Sequence, residues 1–349
     1  MPLLSPREPD ESLHFFAVGP LFRLRKNGLD LERAPRPADT NARSTLKDEA
    51  AMVKNRLHKY VSIGTLKRIL GGTIRMSQPS AFNDPFELLP ELIIPADQAG
   101  KPISFSFDID APRRETPLTA VVQLNEGQLS SDITSRHILD VLNKHVGILC
   151  LSKAPNSILM WSHYADQYQG AVVAFDADHE FFARQIEVEY VEERPKKPVD
   201  LYKSEPVPLA ELCSKSIEWK YEHEVRIVRL LEDCKKTDTT DIRGFPVFTA
   251  DIPQQAIASV ALGERTPIPQ QQEIYQLVKN TQIGLTLSAV DNAGYGFRQE
   301  VILYPGHLRN PTLSPRTAHI FAGNGSALAE LARSMIDNHP MSPIVNKTV

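Results

Sequence analysis

Two carboxylates and a guanidinium alternate in the stretch from Ile217 to Leu231. If this stretch is a β-strand, Glu222, Glu224 and Arg226 lie on one face, with about 7 Å between successive residues of that face. Two like charges at that spacing raise each other's pKa unless a cation lies beside them, and Arg226 is placed to be that cation. The face could stabilise or transfer charge in catalysis. It could equally be a solvated edge that carries a surface ion pair.

The opposite face of the same predicted strand is mainly apolar and suits a protein core. It carries Trp219, Tyr221, His223, Val225 and Ile227.

A second polar group occurs in the segment from Phe82 to Glu87. Asn83 and Asp84 precede Pro85, an arrangement that favours an Asx-type turn with pinned polar side chains. Turn chemistry requires neither Glu87 nor an aromatic residue on each side. The segment is therefore either a binding loop or a well-anchored structural turn.

A third group lies on a predicted helix over residues 158–168, which Asn156 or Ser157 caps and Gly170 ends. Trp161, Tyr164 and Tyr168 share one stripe of this helix, and His163 lies on the adjacent one. These side chains could bind a ligand, or they could be ordinary core residues and a structural histidine.

Composition constrains the class of protein. The chain has 349 residues, of which 39 are basic and 43 acidic, giving a net charge of −4. This balance provides no global attraction to nucleic acid or to an anionic membrane. The three cysteines are far apart and have no metal-ligand spacing, so we expect neither a zinc site nor a disulfide framework, and we predict a reducing cytoplasm. We expect no signal peptide and no membrane span.

Alternating and helical periods predict an α+β fold with a mixed, mainly antiparallel central sheet flanked by helices. We predict an extended arm over 1–45, a single domain over 46–305 and a flexible tail over 306–349 with one short helix at 327–337. A polar insertion is predicted near 96–133. The predicted strands are 57–61, 73–77, 147–152, 171–176, 186–191, 217–231, 245–252, 256–262, 285–290 and 297–304. The main predicted helices are 45–56, 65–70, 135–146, 158–168, 209–214 and 270–280.

Three motifs in order resemble the bacterial domain-of-unknown-function 2971 family over roughly residues 55–265. They are Leu57-His-Lys-Tyr60 leading to Phe82-Asn-Asp-Pro-Phe-Glu87, Met160-Trp-Ser-His-Tyr164 with Gly170, and Trp219-Lys-Tyr-Glu-His-Glu-Val-Arg226. The family usually has an aromatic residue where this chain has His58. The order of elements is also similar to ADP-ribosyltransferase-like folds, which place a His or Arg on an early strand, an aromatic residue or Ser further on, and a Glu of an E-x-E pair on a late strand. His58, Tyr164 and the pair Glu222 and Glu224 fill those places.

This second resemblance implies cleavage of the bond between ribose and nicotinamide in NAD, with NAD as co-substrate. Glu224 would stabilise the positive charge that develops on the ribose, and Glu222 would deprotonate the acceptor. Arg226 would orient these acids or hold a diphosphate, and Trp161 or Tyr164 would stack on a ring of NAD. The candidate catalytic residues are Glu222, Glu224, Arg226 and His163. The candidate binding residues are His58, Tyr60, Asn83, Asp84, Glu87, Trp161 and Tyr164.

We therefore expect a cytoplasmic ADP-ribosyltransferase-like enzyme that acts on a macromolecular target, as a toxin or phage-defence effector would. One alternative is a metal-dependent nuclease or hydrolase, because Asp84, Glu87, Glu222 and Glu224 offer oxygen ligands suited to Mg²⁺. Another is a non-catalytic module in which the three motifs form a ligand-binding pocket. No dedicated metal site is predicted.

Overall fold

The computed structural model describes residues 55–94, 102–109, 118–123, 130–198, 206–306, 311–323 and 328–345. The predicted arm over 1–45, the predicted helix over 45–56 up to residue 54, and part of the predicted insertion near 96–133 lie outside these residues. The strands, in chain order, are β1 (Arg56–Val61), β2 (Thr73–Met76), β3 (Glu91–Ile93), β4 (Pro102–Asp108), β5 (Leu118–Gln123), β6 (Val146–Ser152), β7 (Ala171–Asp176), β8 (Ile186–Glu187), β9 (Glu189–Val191), β10 (Lys196–Pro198), β11 (Val207–Pro208), β12 (Ser214–Ser216), β13 (Glu224–Leu230), β14 (Lys235–Thr240), β15 (Pro246–Asp251), β16 (Ile257–Leu262), β17 (Gly284–Val290) and β18 (Phe297–Leu303).

The α-helices are α1 (Ile63–Leu70), α2 (Ser130–His145), α3 (Ile158–Tyr164), α4 (Ile268–Val278), α5 (Ala318–Phe321), α6 (Ala329–Asn338) and α7 (Ser342–Val345). Short 3₁₀ helices occur at Pro79–Ala81, Glu180–Phe182, Leu209–Leu212, Ile217–Glu222, Leu231–Asp233 and Gln254–Ala256. None of the helices in the described ranges has both the length and the apolar character needed to cross a membrane.

Eight strands form the main sheet, in the order β18-β17-β16-β7-β1-β6-β13-β8. Neighbouring strands are antiparallel except β16 and β17, which are parallel. With helices packed on it, this mixed and mainly antiparallel sheet confirms the predicted α+β class. Strand β6 lies between β1 and β13, as its continuous apolar sequence predicts.

The sheet opens between β1 and β6. These two strands pair at one position, where His58 lies opposite Ser152. Beyond it they diverge, and the Nζ of Lys59 donates a hydrogen bond of 2.9 Å to the carbonyl oxygen of Cys150. Because β1 and β6 do not pair there, the side chain of Lys59 takes the place of a backbone donor for this carbonyl oxygen.

Alternation divides the sheet into two faces. One face, which includes Val225 and Ile227 of β13, joins the largest hydrophobic core. On the other face, Ile148 and Leu230 join a second core, and Tyr60 and Trp161 join a third. Glu224 and Arg226 share that other face with Leu230, because they are separated by even numbers of residues along β13.

The predicted strand over 217–231 is wrong in its first half. Ile217–Glu222 form a 3₁₀ helix, and the strand begins at Glu224. Between them His223 adopts the left-handed conformation, with φ 43° and ψ 52°. This turn overrides the period-2 pattern, so His223 is exposed instead of lying on the core face.

The predicted helix over 158–168 ends earlier than expected. Ser157 caps α3 by accepting a hydrogen bond of 3.4 Å from the amide of Met160, but the helix stops at Tyr164. Positive φ values at Asp166, Gln167 and Tyr168 form a tight turn that leads to Gly170. The helical stripes drawn through residue 168 are therefore wrong beyond Tyr164.

Two further predictions need correction, and the predicted C-terminal helix is present. The single strand predicted over 186–191 is two short strands, of which β8 joins the main sheet and β9 pairs with β12. Lys235–Thr240, where no strand was predicted, form β14, which pairs with β15. The predicted short C-terminal helix is present as α6, and Ile320 and Phe321 of α5 are also buried in the largest core. Apolar side chains thus attach the C-terminal helices to the domain.

Candidate functional site

A cluster of buried charges lies on the β13 face opposite the largest core. Its members, which we call the ionic cluster, are Glu87, Lys215, Glu222, Glu224 and Arg226. Each of these side chains is at most 6% exposed. Charged groups are rarely buried unless they are paired, and here three carboxylates meet two cations.

Arg226 joins two of the carboxylates. Its Nε lies 2.8 Å from Glu224 Oε1, and its Nη1 lies 2.6 Å from Glu87 Oε1. The contact with Glu87 is a close ion pair whose atoms are not aligned as a hydrogen bond. The guanidinium therefore ties β13 to the loop that follows the 3₁₀ helix Pro79–Ala81.

Lys215 of β12 lies among all three carboxylates. Its Nζ is 2.6 Å from Glu224 Oε2, 2.8 Å from Glu222 Oε2 and 3.9 Å from Glu87 Oε2. The ammonium group occupies the position that a metal ion would take between these oxygens. The protein's own cations thus supply the counter-charge, an arrangement unlike the metal-dependent hydrolase considered from the sequence. No group of three or more His, Cys, Asp or Glu side chains suited to a metal ion occurs in the described ranges.

Glu222 connects the ionic cluster to the protein surface. The hydroxyl of Tyr164, at the end of α3, donates a hydrogen bond of 2.5 Å to Glu222 Oε1. The side-chain amide of Asn83, which is exposed, donates in turn to the Tyr164 hydroxyl at 3.0 Å. A chain of hydrogen bonds therefore leads from solvent at Asn83 to the buried carboxylate.

The backbone around the two glutamates is fixed by side chains of neighbouring strands. Ser152 Oγ donates a hydrogen bond of 2.5 Å to the carbonyl oxygen of Glu222. The amide of Glu224 donates one of 2.8 Å to the hydroxyl of Tyr190. These two bonds hold the chain on either side of His223, so both carboxylates turn toward Lys215.

Three residues from adjacent strands form a row across the sheet at this point. His58 of β1 pairs with Ser152 of β6, and Ser152 pairs with Glu224 of β13. Cross-strand partners lie on the same face of a sheet, so the three side chains are neighbours. The ring of His58 also lies 3.3 Å, by its Nδ1, from the carbonyl oxygen of Ser152.

Burial and charge shift the acids of the ionic cluster in opposite directions. Burial raises the pKa of Glu87, although Arg226 and Lys215 oppose this effect. Burial also acts on Glu224, but Arg226 and Lys215 outweigh it and lower the pKa of Glu224 to about 2. Two carboxylates of one cluster thus differ in proton affinity, a property of many acid–base sites.

The histidine and tyrosine of the site are also shifted. Burial lowers the pKa of His58, so its ring is neutral near neutral pH. Burial and the hydrogen bond to Glu222 raise the pKa of Tyr164, which keeps its proton and acts as a donor.

The structure brings most of the predicted site residues together. Asn83, Tyr164, Glu222, Glu224 and Arg226 form one connected network through Lys215. Glu87 joins it through Arg226, and His58 reaches it through the row across the sheet. Glu222, Glu224 and Arg226 cluster as the sequence predicted, although a turn and not a continuous strand places Glu222.

Four predicted site residues lie outside this network. The exposed ring of His163 lies 6.2 Å from those of Tyr164 and Tyr221 and makes no hydrogen bond to the ionic cluster. Trp161 is 1% exposed and packs edge-on against Tyr60 in the third core, so it cannot stack on a ligand. The Tyr60 hydroxyl donates to the carbonyl oxygen of Ala154 and accepts from the amide of Ser157, which fixes the loop before α3. Asp84 caps a turn, where its Oδ1 accepts from the amide of Phe86 at 2.9 Å.

Three residues of the site, Lys215, Ser152 and Tyr190, were not predicted from the sequence. Lys215 lies seven residues before Glu222 in a short strand without a recognisable period, so no sequence pattern marked it. Ser152 was only the last residue of a predicted strand. It lies between His58 and Glu224 because β6 pairs with both β1 and β13.

Comparison with known protein families finds a match for one segment of the chain. The model of a family described as a protein of unknown function (DUF2971) matches residues 160–227. The matched segment contains α3 from Met160 onward and the two glutamates, while the Asn83–Asp84 loop and β1 lie outside it. No curated protein and no solved structure matches the chain.

Proposed function

We propose that this protein is an ADP-ribosyltransferase-like enzyme that cleaves the nicotinamide–ribose bond of NAD and modifies a macromolecule. The row of His58, Ser152 and Glu224 on three adjacent strands carries the proposal. A His on an early strand, a Ser further on and a Glu of an E-x-E pair on a late strand are what the ADP-ribosyltransferase-like folds combine. In this chain the three residues are neighbours where the sheet opens between β1 and β6.

The charges suit a reaction in which positive charge develops on a ribose. Glu224, with a pKa of about 2, is ionised near neutral pH and would stabilise that charge. Glu222 would accept the proton of the acceptor group. Arg226 is fully buried between Glu224 and Glu87, so it acts as a positioning residue and not as a diphosphate ligand.

The approach to the site follows the exposed end of the hydrogen-bond chain. A ligand that enters beside Asn83 meets the Tyr164 hydroxyl first and Glu222 next. Tyr164 and Tyr221 are half-buried there and offer aromatic surface on which a ring of NAD would stack. They take this role in place of the buried Trp161. For the ligand to contact Glu224, the ammonium group of Lys215 must move away from Glu224. Its contact with Glu222 can be kept during this movement.

The test is consumption of NAD by the full-length chain, measured as nicotinamide released with time. We expect turnover in the wild type and its loss in Glu222→Gln, which keeps the shape of the side chain and removes its charge. Glu193→Gln is the matched control, because Glu193 is exposed and outside the network. A wild-type protein that is folded by circular dichroism and that neither binds nor consumes NAD would overturn the proposal.

A second candidate is a non-catalytic ligand-binding module. The observation in its favour is that Lys215 and Arg226 already neutralise Glu222 and Glu224. Such a cluster can serve as a rigid support for a binding surface. Retained biological function in both Glu222→Gln and Glu224→Gln would favour this candidate over the enzyme.

A further inference from the structure

A cavity of about 380 Å³ lies next to the ionic cluster, on the side of Lys215. It is formed by the loop that follows Asn83, by the segment after β9 and by the region from Glu211 to Trp219. Its volume is in the range of small-ligand and side-chain sites. Lys215 lines this cavity and also contacts Glu222, the acceptor of the Tyr164 hydroxyl.

The walls of the cavity are largely apolar and aromatic. Phe86, which is 62% exposed, and Trp219 contribute rings, and Leu89, Pro90 and Pro195 contribute aliphatic surface. Large exposed aromatic side chains around a cavity commonly mark a binding surface. An occupant with an apolar stem would fit these walls.

The two cations that line the cavity are already engaged. Lys215 is bound by the carboxylates of the ionic cluster, and its Nζ lies 5.5 Å from the ring centre of Trp219. Arg194 donates to the carbonyl oxygens of Leu89 and Pro90 and lies over the ring of Phe86. Neither cation is available to attract an anion.

Three of the four acids that line the cavity, in contrast, have free oxygens, while Glu211 pairs with Lys197. Asp84 is 6% exposed and uses one oxygen for the amide of Phe86, while its second oxygen has no partner among the described residues. The carboxylates of Glu192 and Glu218 are exposed and make no ion pair or hydrogen bond with any residue that the structure describes. A mostly buried carboxylate with one oxygen left free can accept a hydrogen bond from an incoming donor.

We propose that this cavity binds the side chain of an arginine that a partner protein presents. The guanidinium matches carboxylates with two parallel hydrogen bonds and stacks on aromatic rings, and the alkyl stem packs on apolar walls. Asp84 completes the deep end of the site, and Glu192 and Glu218 attract the cation at its rim. This binding site is independent of NAD cleavage and holds whether or not the proposed reaction occurs.

The test is a titration of the full-length chain with short blocked peptides, followed by tryptophan fluorescence and calorimetry. The chain has two tryptophans, and Trp161 is buried in a core, so a change on binding reports Trp219. We expect an arginine peptide to bind and its citrulline counterpart, which is neutral and of the same shape, to bind at least about tenfold more weakly. Equal binding of the two peptides, or no binding of either, would overturn the proposal.

Two further probes define the chemistry and the source of the cation. A lysine peptide that binds as tightly as the arginine peptide would overturn the choice of a guanidinium. Free N-ethylguanidinium that binds as tightly as the peptide would overturn the partner protein as the source. We expect both to bind more weakly than the arginine peptide, because they lack the planar donor fork or the flanking backbone.

Conservative substitutions of three carboxylates that line the cavity locate the site. Glu192→Gln combined with Glu218→Gln should weaken binding of the arginine peptide at least about fivefold, with less dependence on salt. Asp84→Asn, which can still accept the Phe86 amide, should weaken it further. Glu193→Gln, an exposed neighbour that does not line the cavity, is the control and should bind as the wild type does. Unchanged binding in the first two variants would place the peptide elsewhere and overturn the proposal.

Discussion

The Nζ of Lys215 lies 2.6 Å from Oε2 of Glu224, so a lysine of β12 neutralises a glutamate of β13 inside the protein. The same ammonium also binds Glu222, the other acid of the E-x-E pair. The counter-charge that the sequence assigned to Arg226 alone is therefore shared between two cations. Arg226 and Lys215 together hold Glu224 in its ionised state.

Replacing Lys215 by Met should destabilise the protein strongly. The change keeps the apolar stem but leaves Glu222 and Glu224 without their shared cation, at an expected cost of about 3–5 kcal/mol in the free energy of unfolding. Urea unfolding near neutral pH measures it. Lys220→Met is the matched control, since Lys220 is exposed, and it should change the stability by less than about 0.5 kcal/mol. A loss below about 1 kcal/mol for Lys215→Met would contradict the ionic cluster.

Acid should weaken the fold in a defined window. The folded-state pKa of Glu224 is about 2, below the ordinary value of 4.5, so the unfolded chain binds a proton that the folded chain does not. The contribution of Glu224 to stability is therefore complete above pH 4.5 and is lost as the pH falls toward 2.

Unfolding midpoints measured across this window should fall with decreasing pH more steeply in the wild type than in Glu224→Gln. The contribution of Glu87 to stability depends on pH in the opposite direction, because burial raises the pKa of Glu87. This contribution is lost as the pH rises above the ordinary pKa of a glutamate. Glu87→Gln should therefore leave the acid-side slope of the wild type in place. Equal slopes in wild type and Glu224→Gln would show that Glu224 is not held ionised.

Tyr164→Phe should break the path from the surface to Glu222. It removes the hydroxyl that donates a hydrogen bond of 2.5 Å to Glu222 Oε1 and accepts a hydrogen bond from the side-chain amide of Asn83. A lost hydrogen bond to a charged group costs about 1.5–3 kcal/mol, measured by urea unfolding. Tyr168→Phe, which loses a surface bond of 3.1 Å to the carbonyl oxygen of Ile158, should cost about 1 kcal/mol or less. If the two variants are equally stable, the Tyr164–Glu222 bond does not contribute as described.

Gly263→Ala should disturb the position of α3. A Cβ at residue 263 would lie 2.0 Å from the carbonyl oxygen of Tyr168, and the amide of Gly263 donates to the carbonyl oxygen of Gly170. The turn after α3 would have to move, at a cost of about 1–3 kcal/mol or more, seen in thermal unfolding. Gly294→Ala is the control, because its Cβ would meet open space. Equal thermal stability of the two variants would mean that the close approach is absent.

His223 provides a test of the turn between the two glutamates. Its φ of 43° is left-handed, a conformation that glycine adopts without strain. His223→Gly should leave stability within about 1 kcal/mol of the wild type, whereas the β-branched His223→Val should lose roughly 1–2 kcal/mol more. Greater stability of His223→Val than of His223→Gly in urea would show that the chain is extended at this position.

Much of the site was visible in the sequence. The pair Glu222 and Glu224 with Arg226, the Asn83–Asp84 turn and the end of α3 were each found from local patterns, and the structure joins them. The sequence could not show Lys215, because a lysine carries no sign of being buried until the strands around it are placed. It also gave no sign that Trp161 belongs to a core, since an aromatic stripe at helical spacing looks the same on a core helix and on a binding helix.

The sequence by itself determined the α+β class, most of the strands of the main sheet and the close spacing of the acids, because these follow from periods of two to four residues. Only the tertiary structure decided how the acids are used. A left-handed residue at His223, a register that aligns His58, Ser152 and Glu224, and a lysine from a separate strand are set by contacts between distant parts of the chain. Burial then fixes their charges, since a carboxylate inside a protein stays ionised only where a cation has been brought to it.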